Sequence, residues 1–272
     1  MMKGSSLIVM LAGVLCTGVA VWAQQTTSAS GKSAGAVKDA RRDALLFRAG
    51  QFDVAAASVS RLEDALQTDP DNVAVLNALV TAYQHQSFAA GQAGGDLQLA
   101  RAAALRAFAT SERALRIDPD NPEALAAHGG MLFVASPRPE RVQVGIAEVS
   151  RAVALAPTAI QPRLYRKAIG LAQPPERRDT AALIDDLMFL SKAGTGSRSG
   201  DVEHLLLADV YAETGKADDA RREYLAATRR PASAVKDLVQ SRLAALDQRV
   251  VPSDEIAKLR GELGNCLMCH GK

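Results

Sequence analysis

Aromatic side chains are scarce in this 272-residue chain, 4% of the total with a single tryptophan. That scarcity argues against a β-sandwich or barrel, whose half-buried pleated faces draw on aromatic and β-branched residues. No sign of charge is in excess: 32 basic residues against 30 acidic ones leave a net +2. Neither a polybasic nucleic-acid binder nor a self-repelling disordered chain has that balance. Cysteine is nearly missing as well, with three in all and Cys16 inside the apolar start, so no disulfide framework is available to hold a fold. The chain shows no Walker loop, dinucleotide fingerprint or nucleophile elbow. Past the first two dozen residues no apolar run is long enough to cross a bilayer. What is plentiful is Ala and Leu, within an apolar share of 48%. These residues favour helices, and an all-α protein is the expectation.

The start reads as a targeting segment. Lys3 precedes an apolar run from Leu7 to Val21, and Val21-Trp22-Ala23 offers small residues at the two positions a signal peptidase inspects. Cleavage is expected after Ala23, with export by the general secretory route to the periplasm or beyond, because no Arg pair precedes the run. Left uncleaved, the segment would be a membrane anchor. Residues 24–37 shift to Gln, Thr, Ser, Gly and Ala, the composition of a flexible linker.

The body repeats itself. The clearest copy runs His204-Leu205-Leu206-Leu207-Ala208-Asp209-Val210-Tyr211, then Glu213-Thr214-Gly215-Lys216-Ala217, then Ala220, Tyr224, Ala227 and Pro231. Leu76, Leu79 and Tyr83 open another unit, which closes with Ala107, Ala114 and Asp118-Pro119-Asp120-Asn121. Leu125, Gly129 and Leu132 open a third, closing with Gly145, Val149, Ala152 and Pro157. An earlier half runs from Ala49-Gly50-Gln51-Phe52 to Asp69-Pro70-Asp71-Asn72. This pattern resembles the tetratricopeptide repeat. The resemblance implies a right-handed α–α superhelix of helical hairpins over residues 38–249, preceded by the signal peptide, with a protein partner held on the repeat surface.

Local chemistry supports the hairpins. In each Asp-Pro-Asp-Asn, the proline ends one helix and the asparagine can cap the next. Small residues such as Gly129 and Ala208 permit close helix approach. Pro70 and Pro119 stand 49 positions apart, beyond the usual repeat of about 34. The excess is expected as a loop around Ala89 to Leu97, rich in Gly. Residues 158–193 read as a degenerate helix pair around Pro174-Pro175, Gly194 to Gly200 as a connector, and 232–249 as a last amphipathic helix. Asp185-Asp186, Asp218-Asp219 and the Arg doublets at 41, 177, 221 and 229 read as solvated faces.

The tail, 250–272, opens with a helix-start signal, Pro252-Ser253-Asp254-Glu255, carries an Ile256, Leu259, Leu263 stripe, and reaches Cys266-Leu267-Met268-Cys269-His270. The last five resemble the c-type haem attachment motif, C-x-x-C-H. In a chain of this composition the pattern arises by chance roughly once in two thousand sequences. The resemblance implies one covalently bound haem c, with Cys266 and Cys269 as thioether positions and His270 as the proximal iron ligand. Only Gly271 and Lys272 follow in this sequence, so an ordinary cytochrome c fold is not expected around it. Candidates for a distal ligand are His204, His128 and His85, with Met188 behind them; His204 and His128 read first as packing residues. A disulfide or dithiol between the same cysteines, or another metal site, is the alternative, although a tetrahedral zinc would need a fourth ligand beyond the three local ones.

Two functions compete. One is an exported redox protein that exchanges electrons with, or assembles, a protein partner such as another redox protein. The other is a non-enzymatic scaffold outside the cytoplasm. Peroxidase-like or gas-sensing chemistry ranks behind both, and an electron carrier or scaffold is expected in preference to an enzyme.

Overall fold

The computed structural model describes residues 31–48, 50–92, 95–194, 198–231, 233 and 235–248. Residues 1–23, read as a signal segment, and the tail 250–272, with Cys266, Cys269 and His270, lie outside the described residues. Every regular element among the described residues is an α-helix. They are α1 (Gly31–Arg48), α2 (Val54–Thr68), α3 (Val73–Ala90), α4 (Leu97–Ile117), α5 (Pro122–Ala135), α6 (Pro139–Leu155), α7 (Ile160–Ala172), α8 (Thr180–Ala193), α9 (Arg198–Glu213), α10 (Ala217–Ala227) and α11 (Lys236–Asp247). The protein is all-α, as composition implied. The chain divides into two compact units, Met1–Arg166 and Lys167–Lys272.

In the first unit, α1 packs on α2, α3 on α4 and α5 on α6. The junctions obey local rules. Gly50 adopts φ +92°, a conformation that costs other L-residues steric strain. Its N–H bonds the Phe47 carbonyl while Gln51 N–H reaches Leu46, the paired closure of a Schellman turn. The two Asp-Pro-Asp-Asn segments are the same device twice. Asp69 and Asp118 end α2 and α4 on the carbonyls of Ala65 and Ala114. Asn72 and Asn121 then accept from Val75 and Ala124 N–H at 3.1 and 3.0 Å, starting α3 and α5. Each Asn amide also donates back to the Asp three residues earlier, so the turn is locked on both sides.

Close approach is concentrated at α5. A Cβ at Gly129 would sit 2.5 Å from the Gly145 carbonyl oxygen of α6, and one at Gly145 would meet the Gly129 oxygen at 2.4 Å. The neighbouring Gly130 makes room for the Tyr165 ring, 2.4 Å from its missing Cβ. Only glycine permits both contacts, and α5 is buried from Ala124 through Leu132.

Two expectations change. Helix α1 begins at Gly31, inside the stretch read as linker to residue 37. Ser33, Val37, Ala40, Ala44 and Phe47 are all buried and lie at helical spacing, but Ser and Ala at three of these positions made the stripe hard to read. The connection between α3 and α4 does fall within Ala89 to Leu97, but the excess length of the 49-residue interval is carried by the helices as well. Helices α3 and α4 run to 18 and 21 residues, leaving only 91–96 between them.

The second unit contains the end of α7, α8, α9, α10 and α11. Its core brings Leu183 and Leu187 of α8 against Val202, Leu205, Leu206 and Val210 of α9, with Tyr224, Ala227 and Val239. Gly215, at φ +74°, repeats the Gly50 closure: its N–H bonds Ala212, and Lys216 N–H bonds Tyr211. The connector read at 194–200 is shorter, because α9 starts at Arg198, and the last helix occupies 236–247.

Helix α9 is also an electrostatic hub, since each of its four acids meets a cation from another segment. Asp201 pairs with Arg230, Glu203 with Lys167, Asp209 with Arg242 and Glu213 with Arg178. Tyr224 adds its hydroxyl to Asp209 at 2.7 Å, and burial, followed by the Asp209 charge, raises the phenol's pKa.

Candidate functional site

The three histidines named as distal ligands occupy separate helices and are each engaged in packing or pairing. His85 of α3 is buried and stacks on Phe47, ring centroids 4.1 Å apart. His128 of α5 bonds Glu148 of α6 through Nδ1 at 2.7 Å and faces Phe108 at 4.7 Å. His204 of α9 makes the corresponding bond to Glu223 of α10 at 2.6 Å. The parallel is close: in both hairpins an imidazole on the first helix is held by a glutamate on the second, 20 and 19 residues further on. Met188 is partly exposed on α8, and its sulfur accepts from the Tyr211 hydroxyl at 3.7 Å. Among the described residues no three His, Cys, Asp or Glu side chains gather as a metal site. Cys266, Cys269 and His270, the residues expected to attach a haem, lie outside the described residues.

Two charged residues read as solvated are inside. Asp186 is fully buried on α8, and Arg178, from the second doublet, is almost wholly covered in its pair with Glu213. In the 221–222 doublet Arg222 pairs with Asp219 of the same helix, whereas Arg221 reaches across to Asp247. Asp218-Asp219 does lie on a wet face.

One surface feature was missed in the sequence. Helices α2 and α4 flank a groove of about 480 Å³ over α3. Its floor is Leu76, Leu79 and Tyr83, its α2 side carries Glu63, Leu66 and Gln67, and its α4 side carries Arg106, Arg113 and Arg116. Tyr83 donates its hydroxyl to Glu63, and burial, then that bond, pushes the phenol up to about 12. Arg106 lies over the Tyr83 ring at 6.0 Å. Arg113 donates to the Pro70 carbonyl at 2.5 Å and lies 3.7 Å from Asp71. The spacing of 106, 113 and 116 is the only trace in the sequence, and scattered arginines on a helix carry no signal until the opposite wall is known.

No described helix is long and apolar enough to cross a membrane. No family model matches the chain, and no curated protein matches it.

Proposed function

We propose that this is an exported protein in which tetratricopeptide-like helical hairpins hold a protein partner while the C-terminal segment carries a covalently attached c-type haem, serving electron transfer or the assembly of a redox complex. The single observation that carries the reading is Cys266-Leu267-Met268-Cys269-His270, a complete attachment motif in a chain whose start reads as a secretory signal. The two features are independent and agree in compartment, since c-type haem is attached outside the cytoplasm. The haem would supply one-electron exchange. The described helices supply support for the repeat part of the reading: paired helices joined by Gly50 and Gly215 turns and by two identical Asp-Pro-Asp-Asn caps. Stacking such hairpins as a right-handed superhelix would bury the apolar face that no single hairpin can cover.

The test is chemical. The full chain is co-expressed with a haem-attachment system, denatured, and its visible spectrum and mass recorded. A Soret band and a mass increment of one haem are expected to survive denaturation and to vanish in Cys266→Ala/Cys269→Ala. His270→Ala is expected to alter the iron spectrum and leave the helical melt unchanged. A colourless product of unmodified mass would overturn the haem assignment in favour of a non-enzymatic scaffold with a dithiol or disulfide tail, the second reading, which rests on the hairpins that make up the described chain.

A further inference from the structure

The geometry points to the α2–α3–α4 groove as a docking site for an acidic, aliphatic segment of a partner protein. This deepens the partner-binding half of the proposed function and is independent of the tail. Three observations converge on that occupant. The α4 wall presents three guanidiniums, Arg106, Arg113 and Arg116, against one carboxylate, Glu63, and that carboxylate already accepts the Tyr83 hydroxyl. Arg116 is exposed and has no ion pair among the described residues, and Arg113 uses one nitrogen on a carbonyl while its fork retains other donors. Arg113 is shared with Asp71 at 3.7 Å, so the charge left open along the edge is that of Arg116, with Arg106 beside it over the Tyr83 ring.

The floor selects between kinds of anion. Leu66, Leu76 and Leu79 are aliphatic, and the one aromatic ring, Tyr83, is buried and tied, so no free ring is offered for stacking a base. Glu63 on the opposite wall repels a phosphate chain but can accept backbone N–H groups, which a peptide has and a polyphosphate lacks. From Arg106 to Arg116 the helix rises about 15 Å, a length that four or five residues of extended chain would span. Asp or Glu alternating with Leu or Val over such a segment would set carboxylates against the arginines and aliphatic groups onto Leu66 and Ala109, the apolar lining that is not buried. Arginine's planar fork suits carboxylates for bidentate pairing.

The experiment is a titration of the full chain against an array of fluorescein-labelled, end-capped octapeptides with zero to four Asp or Glu at varied spacing among Leu and Val. Anisotropy is expected to rise with acid content, to fall when Asn and Gln replace the acids, and to weaken as salt is raised. Arg116→Gln and Arg106→Gln are expected each to weaken the best peptide about tenfold, and Arg101→Gln, on the same helix but outside the groove, to leave it unchanged. Arg113→Gln belongs to the set, with circular dichroism checking that the Pro70 turn persists. Equal affinity for neutral peptides, indifference to Arg106 and Arg116, or inorganic phosphate or anionic vesicles binding as tightly as any peptide would overturn the assignment. Cys266→Ala/Cys269→Ala is expected to bind the peptide unchanged, so a failed groove and a failed haem assignment give different results.

Discussion

Lys167 Nζ and Glu203 Oε1 lie 2.6 Å apart, and each side chain is 2% exposed. The second carboxylate oxygen, Oε2, is buried and has no hydrogen-bond partner among the described residues. Glu203 thus depends heavily on one ammonium for the hydration it gave up on folding. Lys167→Met removes the charge, retains much of the aliphatic stem, and strands that carboxylate; a buried pair broken on one side costs about 3–5 kcal/mol. Glu203→Leu strands the ammonium and is expected to cost the same order. The double variant Lys167→Met/Glu203→Leu removes both desolvation penalties and should return to within about 1 kcal/mol of the parent, or exceed it. The two units make a single unfolding curve ambiguous, so the assay is peptide-resolved hydrogen exchange of the full chain, read across α9. Faster exchange in each single variant and recovery in the double is the expected pattern. If the double were as unstable as the singles, or Lys167→Met were silent, the pair would not carry the role assigned to it.

The asparagine caps allow a finer comparison. Asn72→Ala should cost about 1 kcal/mol, and Asn121→Ala more, because its Oδ1 accepts Asn77 Nδ2 at 2.9 Å as well as Ala124 N–H; urea unfolding of the first unit measures the difference. Gly129→Ala drives a Cβ to 2.5 Å from the Gly145 backbone oxygen and should cost about 1–3 kcal/mol or more. Gly215→Ala, with open space around the Cβ but φ +74°, should cost about 1–2 kcal/mol from backbone strain. Burial pushes the Glu123 carboxyl from 4.5 up to about 7, with the Asn77 hydrogen bond and Arg41 pulling it down. The folded state therefore holds this proton more tightly than the unfolded one. Its contribution is complete below about pH 4.5, declines as pH rises towards 7, and is constant above. Thermal melts of Glu123→Gln should lose that slope, with the amide oxygen still able to accept from Asn77.

Much of the helix grammar could be read directly. Asp-Pro-Asp-Asn announced both helix junctions, Gly50 and Gly215 announced turns, and Gly129 announced a tight crossing; each appears in the structure with the partner atoms to justify it. The described stretch before residue 38 was misread because Ser33 is a poor marker of a buried stripe and Val37 alone makes none, yet both are covered. Asp186 and Arg178 were misread because charge suggests solvent on average, and the pairing that reverses the preference for Arg178 is Glu213, 35 positions away. The arginine groove was invisible for a related reason: its two walls are separated by some forty residues of chain, and its floor belongs to a helix buried at every position from Val75 to His85, so that no one face stands out.

Helix ends were readable in one dimension because a cap, a proline or a left-handed glycine acts on backbone groups within four or five residues of itself. The tail's C-x-x-C-H pattern is of the same short-range kind, since two thiols and an imidazole in five positions need no fold to be recognised. Which charges go inside, and where three arginines share a groove with one carboxylate, was settled in three dimensions. Desolvation is tolerated only where an opposite charge arrives from another helix, and no local pattern says which helix that will be.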